Sequence, residues 1–142
     1  MDRLATARLD LRMFREDDLD AYADMCADEE VMRFIGAGGA VGADVAWRQM
    51  ALFLGEWALH GYGMWAVRDR PSDRLLGQVG LLHLSDKDEV EIEFTLTPDV
   101  WGQGIGTEAA GRVMTIAFGA IGLERVVAMT HPDNLGSVRV LE

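Results

Sequence analysis

The sequence predicts an α+β domain, one mixed and mostly antiparallel β-sheet flanked by helices. Three observations carry this. Short runs alternate apolar and polar residues, longer runs place apolar residues three and four apart, and a glycine-rich turn joins one of the strands to a long helix. With 142 residues, 49% of them hydrophobic, the chain suits one domain around one core. No internal repeat, linker or low-complexity segment divides it.

Arg8-Leu9-Asp10-Leu11-Arg12 alternates and reads as the first strand. Residues 16–27 follow as a helix, with Glu16-Asp17-Asp18 suited to its N-terminal end. Asp28 to Ile35 reads as a short second helix, closed by Gly36-Ala37-Gly38-Gly39. Asp44 to Leu59 is amphipathic, with Trp47, Met50, Leu54 and Trp57 along one stripe and Gly61 and Gly63 beyond its end. Trp47, Trp57 and Trp65 are expected in the core. Residues 64–68 and 75–82 read as a hairpin around Arg70-Pro71-Ser72-Asp73.

Next, Val90, Ile92, Phe94 and Leu96 alternate with Glu91, Glu93, Thr95 and Thr97, a half-buried strand that Pro98 ends. Trp101-Gly102-Gln103-Gly104-Ile105-Gly106-Thr107 forms the turn, and from Ala110 a helical stripe begins with Val113, Met114, Ala117, Phe118 and Ile121. Residues 125–130 read as a further strand, and 134–142 begin a last helix. The run of antiparallel strands followed by a crossover helix puts the glycine turn at the carboxyl end of a central strand, where open sheets bind ligands.

Glycines at every second position let the backbone turn tightly, and the helix start offers unpaired N–H donors and partial positive charge. The turn is therefore a candidate anion cradle, with a structural tight turn as the competing reading. It is not a P-loop, since no Gly-Lys-Ser/Thr is present, and its spacing is not the dinucleotide fingerprint.

A net charge of −11 argues against nucleic acid, whose phosphates demand a basic surface. It suits a cationic partner such as an amine or basic peptide, and equally serves solubility. Cys26 is the single cysteine and continues the stripe Leu19, Tyr22, Ala23, so a buried small hydrophobe is expected. Residues 1–6 lack a signal-peptide pattern and no apolar run approaches a membrane span, so a cytoplasmic location and no membrane partner are expected. His60, His83 and His131 have no ligand spacing, and no metal is expected. His60 reads as a partner of a helix C-terminus, and His83 as a candidate for lining an acceptor pocket.

Taken together and in this order, several segments resemble the GCN5-related N-acetyltransferases (GNATs). They are Thr6-Ala7-Arg8-Leu9-Asp10-Leu11-Arg12, Gly63-Met64-Trp65-Ala66-Val67, Leu76-Gly77-Gln78-Val79-Gly80-Leu81, Glu91-Ile92, Trp101 to Ala109, and Asn134-Leu135-Gly136-Ser137-Val138-Arg139-Val140-Leu141-Glu142. The likeness covers nearly the whole chain and is greatest to the branch that acetylates ribosomal-protein N-termini and various small amines. It implies acetyl-CoA as co-substrate. Phe94, Thr95 and Leu96 would pair their backbone with the pantetheine arm. Trp101, Gly102, Gln103, Gly104, Ile105, Gly106 and Thr107 would wrap the pyrophosphate, and Asn134 would contact the cofactor near the pantetheine. Ser137, one helical turn on, is carried as a catalytic candidate.

The chain departs from that pattern at several points. Trp101 stands where the superfamily usually has Gln or Arg, Glu93 where the branch often has glycine, and Leu141 where many relatives have a tyrosine acid. Relatives continue with Lys-x-Gly-Phe and a terminal strand, so a sheet without its last strand is expected. A second copy of the chain is the candidate protein partner through the edge this leaves.

Acetyl transfer needs a neutral amine, and reference amine pKa values of roughly 8 to 10.4 call for a base. Glu91 is the first candidate and Glu93 the second. Both lie on one strand face, each raising the other's pKa by like-charge repulsion. A backbone N–H of the same strand would hold the oxyanion. The competing reading makes these carboxylates a solvated face and the protein a non-catalytic acyl-CoA-binding or regulatory module. Thr95 and Thr97 read as ordinary strand residues in their side chains.

Overall fold

A computed structural model describes residues 2–33, 39–84 and 89–128. Six strands lie side by side in chain order. β1 (Arg3–Ala5), β2 (Leu9–Met13), β3 (Met64–Asp69), β4 (Leu75–Leu84) and β5 (Glu89–Leu96) are successive antiparallel neighbours, and β6 (Val127–Ala128) runs parallel to β5. Helices α1 (Leu19–Cys26), α2 (Glu29–Met32) and α3 (Ala43–His60) fill the long connection from β2 to β3, and α4 (Ile105–Phe118) joins β5 to β6. A parallel pair cannot be closed by a hairpin, so α4 is the crossover that the topology requires.

The mixed, mostly antiparallel sheet flanked by helices is the architecture expected from the sequence. Each strand expected from residues 8 to 97 forms, within a residue or two at its ends. β1 escapes sequence pattern because it has three residues, of which only Leu4 is buried. α4 begins at Ile105 rather than near Ala110, since Gly106, Ala109 and Ala110 are buried helical residues too small to register as a stripe. The expected stripe of α3 is also corrected. Ala46, Met50, Phe53 and Trp57 are buried, and Trp47 is 57% exposed because Ala46 takes the close contact instead.

Apolar side chains fill both faces of the sheet. Leu9, Leu11, Trp65, Val79, Leu81 and Ile92 pack with Ile105, Ala109, Val113 and Ala117 of α4. Across the sheet, Met64 and Ala66 pack with Tyr22, Met25 and Cys26 of α1 and Met50 and Phe53 of α3. Cys26 is a buried free thiol, as its stripe suggests. The Trp57 indole lies edge-on to Trp65 at 4.9 Å and donates to the Met64 carbonyl at 2.9 Å.

A buried ionic group fixes α1 against the sheet. Asp18, only 2% exposed, accepts from both Nη atoms of Arg12 on β2 at 2.9 and 3.0 Å. Arg68 Nη1 on β3 reaches it at 2.6 Å and the Arg15 N–H at 2.8 Å. The acidic start of the expected 16–27 helix is therefore a 3₁₀ turn, Glu16–Asp18, and the α-helix proper starts at Leu19.

Several expectations lie outside the described residues: the turn at residues 36–38, the end of the strand expected over 125–130, the helix over 134–142 with Asn134, Ser137 and Leu141, and the state of the sheet beyond β6.

Candidate active site

β5 ends at Leu96, and the Thr97 N–H donates to the Leu76 carbonyl at 2.8 Å. Pro98–Val100 form one 3₁₀ turn, after which the chain reverses through Gly102 (φ 75°) and Gly104 (φ 77°) into α4. Both glycines have left-handed backbones, which an L side chain adopts at a cost of about 1–2 kcal/mol. Gly104 is the N-cap of α4, and no side chain caps the first turn. The opening N–H groups of α4 are thus available to a ligand of negative charge. Gly106 and Thr107 belong to the helix rather than to the turn.

An acidic residue in this first turn would oppose an anion, but Glu108 is already engaged. It accepts from the Thr6 hydroxyl, from the Arg8 N–H at 3.0 Å and from Arg8 Nε at 2.7 Å. Burial pushes its carboxyl up, yet these hydrogen bonds outweigh burial and hold it below the ordinary glutamate value. Arg8 Nη1 also donates to the Gln103 carbonyl at 2.9 Å. In a trans peptide the C=O and the following N–H point opposite ways, so Arg8 turns the Gly104 N–H away from itself.

Two edges flank β5. On one side it pairs with β4 along its length, with Phe94 opposite Val79, Thr95 opposite Gln78 and Leu96 opposite Gly77. On the other, among the described residues, β6 pairs only with Glu91 and Ile92. Because Thr97 donates toward β4, alternation turns Thr95 to β4 as well and turns Phe94 and Leu96 the other way. The Leu96 carbonyl accepts from the Trp101 indole at 2.9 Å, which ties the strand end to the turn.

Glu91, Glu93 and Thr95 share the face covered by α1. Glu93 accepts from Gln78 Nε2 at 3.4 Å. Burial first, and the neighbouring charge of Glu91 second, raise the Glu93 pKa, while Gln78 opposes them. The repulsion expected between the two carboxylates is therefore present, and burial exceeds it. Tyr22 of α1 is close enough to feel the Glu93 charge, and its phenol is itself raised, mainly by burial.

Comparison with known proteins bears on this arrangement. The description "Acetyltransferase (GNAT) domain" matches residues 8–142. The chain belongs to the GNAT acetyltransferase family. The uncharacterized N-acetyltransferase YoaA of Bacillus subtilis (strain 168) is 28% identical over 139 residues, covering 97% of this chain and 78% of that protein. An acetyltransferase from Agrobacterium tumefaciens str. C58 superposes with a TM-score of 0.87 at 28% identity, covering 99% of this chain and 80% of the other. The fold is also shared, at 16% identity and a TM-score of 0.81, with the ribosomal L7/L12 α-N-protein acetyltransferase RimL, solved in complex with coenzyme A; that match covers 96% of this chain and 78% of RimL.

Other features of this GNAT domain stand apart from that face. His60 and His83, distant in sequence, stack at 4.7 Å. His83 is paired with Val90 and so shares its side of the sheet, opposite Glu91 and Glu93. Among the described residues no cluster of three metal-ligating side chains exists, and no helix is long and apolar enough to cross a membrane. A cavity of about 680 Å³ beside the turn is lined by Arg8, Arg70 and Arg74 among others. Its guanidiniums are committed to Glu108, the Thr6 carbonyl and Asp99. Thr6, Arg8 and Gln78 were not singled out as site residues from sequence, because their partners lie far along the chain.

Proposed function

We propose that this GNAT domain transfers the acetyl group of acetyl-CoA to a primary amine, either a protein N-terminus or a small amine. The observation that carries the reading is the course of β5, whose Phe94–Leu96 segment turns Phe94 backbone groups and the Leu96 N–H away from β4 and runs straight into an uncapped helix start. An amide-bearing arm lying along that edge would have its diphosphate at Gly102–Thr107 and its thioester beside the Glu91–Glu93 face. Glycine-turn N–H groups, with Gly104 aimed by Arg8, suit the diphosphate. Asn134 and Ser137 keep the roles that the resemblance gives them.

Acetyl-CoA supplies an activated carbonyl. The chain's own part is to remove a proton from the ammonium and to hold the neutral amine in line. Glu91 and Glu93 accept that proton as a pair. Nitrogen then bonds to the carbonyl carbon, the carbon–sulfur bond breaks, and the second proton that nitrogen sheds as the amide forms passes to the leaving thiolate. A base whose pKa is raised toward the working pH is the more effective one, and Glu93 is the carboxyl that burial raises.

Titration calorimetry with CoA, and release of free thiol from acetyl-CoA over an amine panel, test the proposal. CoA binding with thiol release is expected. Binding without release would make the protein an acyl-CoA-binding module, and no binding would reduce the turn to a structural one. Gly104→Val adds a β-branched side chain at positive φ, within 3.5 Å of Arg8, and should weaken CoA binding at least ~10-fold with the cooperative thermal transition retained. Parental affinity in that variant would remove the turn from the cofactor site.

A further inference from the structure

Two buried atoms beside Glu93 have no partner. Gln78 is 4% exposed and Thr95 7% exposed, and neither Gln78 Oε1 nor Thr95 Oγ1 makes a hydrogen bond. They belong to residues directly opposite each other on β4 and β5, with Glu93 one pleat further along the same face. A buried polar atom left unpaired is destabilising, so two on facing residues call for an explanation. A chain selected for stability alone would place valine and leucine there, as it does at Val79 and Leu81 on the opposite face.

Gln78 already directs its amide nitrogen to Glu93, which leaves the carbonyl oxygen, an acceptor only. Thr95 Oγ1 can accept as well. Beside them stands a carboxyl, again an acceptor. No donor among the described side chains meets the two orphan atoms. An amide oxygen, a hydroxyl able to accept and a carboxyl on one face of the sheet are complemented by a group with several donors and no acceptor, which is an alkylammonium.

We propose that Gln78 Oε1 and Thr95 Oγ1 are the seat of the acceptor's amino group, each taking one N–H of a primary amine whose third proton passes to Glu93. This rests on the acyl-transfer reading and deepens it. After the proton has left, the neutral amine keeps two N–H bonds that hold the nitrogen in place, and one of these two protons leaves as the amide forms. A secondary amine in its neutral form has one N–H and leaves an acceptor unpaired in the interior. The seat therefore selects primary over N-alkylated amines, a discrimination of the kind that buried hydrogen-bonding groups enforce.

The test measures thiol release with putrescine, benzylamine and a hexapeptide bearing a free α-amino group, each beside its N-methyl counterpart. The parent, Thr95→Val, Thr95→Ser and Gln78→Met are compared. Thr95→Val and Gln78→Met should raise the KM for the amine at least ~10-fold with the KM for acetyl-CoA unchanged, and Thr95→Ser should restore the parental value. Thr95→Val removes only an unpaired atom and should leave the melting temperature of the ligand-free protein equal or higher, whereas Gln78→Met also removes the donor to Glu93 and is read by KM alone. If both variants keep the parental amine KM and Thr95→Val melts lower, the atoms hold a structural water and the seat is overturned. Equal rates for primary and N-methyl amines in the parent overturn it without any variant. A parent that releases thiol with none of the amines overturns the acyl-transfer reading itself, whereas parental constants in the variants overturn only the seat.

Discussion

Glu93 is partly buried, in surroundings that disfavour its charge, beside the Glu91 carboxylate and near the buried Tyr22 phenol. A raised pKa means that the folded chain binds this proton more tightly than the unfolded chain does. The stabilisation is complete below the ordinary value of 4.5 and is lost as pH rises through the folded pKa. Near neutral pH the ionised carboxylate therefore burdens the fold. Glu93→Gln, which keeps shape and can still accept from Gln78, should melt above the parent at about pH 8, with the gap closing toward about pH 4. Thermal scans across that range check it, and a parallel pair of curves would show that Glu93 does not feel its burial. The same variant should lose ~10² to 10⁴ in acetylation rate if this carboxyl is the base. Alternation in the sequence places Glu91 and Glu93 on one face, and the structure agrees. What alternation cannot rank is their burial, because the groups around Glu93 come from other elements: Gln78 of β4 donates to it and Tyr22 of α1 lies near enough to feel its charge.

At the scale of elements, the wall over that face depends on one carboxylate. Asp18 holds β2 and β3 to the start of α1 through Arg12 and Arg68. Asp18→Ala would leave two guanidiniums inside with no counter-charge, and breaking such a buried pair costs about 3–5 kcal/mol. A fall in the urea midpoint with an unchanged slope is the expected result, and a change within error would assign the cohesion of α1 to its apolar contacts alone. In sequence, Asp18 is one of three acidic residues at a helix start, and its dipole role is all that local reasoning supplies. Its second arginine comes from fifty residues away. Helix boundaries differ from the sequence expectation for a similar reason. Period analysis rewards large apolar side chains, whereas α3 approaches the core through Ala46 and α4 through Gly106, Ala109 and Ala110. Strands were read closely because alternation over five or more residues is unambiguous, and the three-residue β1 fell below that length.

Across the whole molecule, the glycine turn is held by the opposite end of the chain. Residues 6 and 8 precede the sheet's second strand, yet their side chains reach Glu108 and the Gln103 carbonyl about a hundred positions later. The chain carries a net charge of −11, so in the proposed reading an incoming diphosphate is repelled on average, and carboxylates near the turn need a counter-charge. Arg8 pairs with Glu108 and donates to the Gln103 carbonyl, which in the proposed reading would make it a positioning residue for the Gly104 N–H. Arg8→Ala should then separate two quantities that a merely structural salt bridge would move together. The Arg8 side chain is 46% exposed, so its ion pair is screened and the ligand-free fold should lose no more than about 1 kcal/mol. CoA affinity, by contrast, should fall ~10-fold, since Glu108 then stands in the first turn of α4 without its counter-charge and the turn loses its tether. The readout is the rise in melting temperature produced by saturating CoA, which follows affinity by mass action. Arg8→Lys keeps the charge without the fork that reaches Glu108 and Gln103 together, and should fall between parent and Arg8→Ala. A ligand-induced rise equal in all three proteins would show that the turn is rigid on its own, and that the N-terminal strands serve the sheet and not the cofactor site.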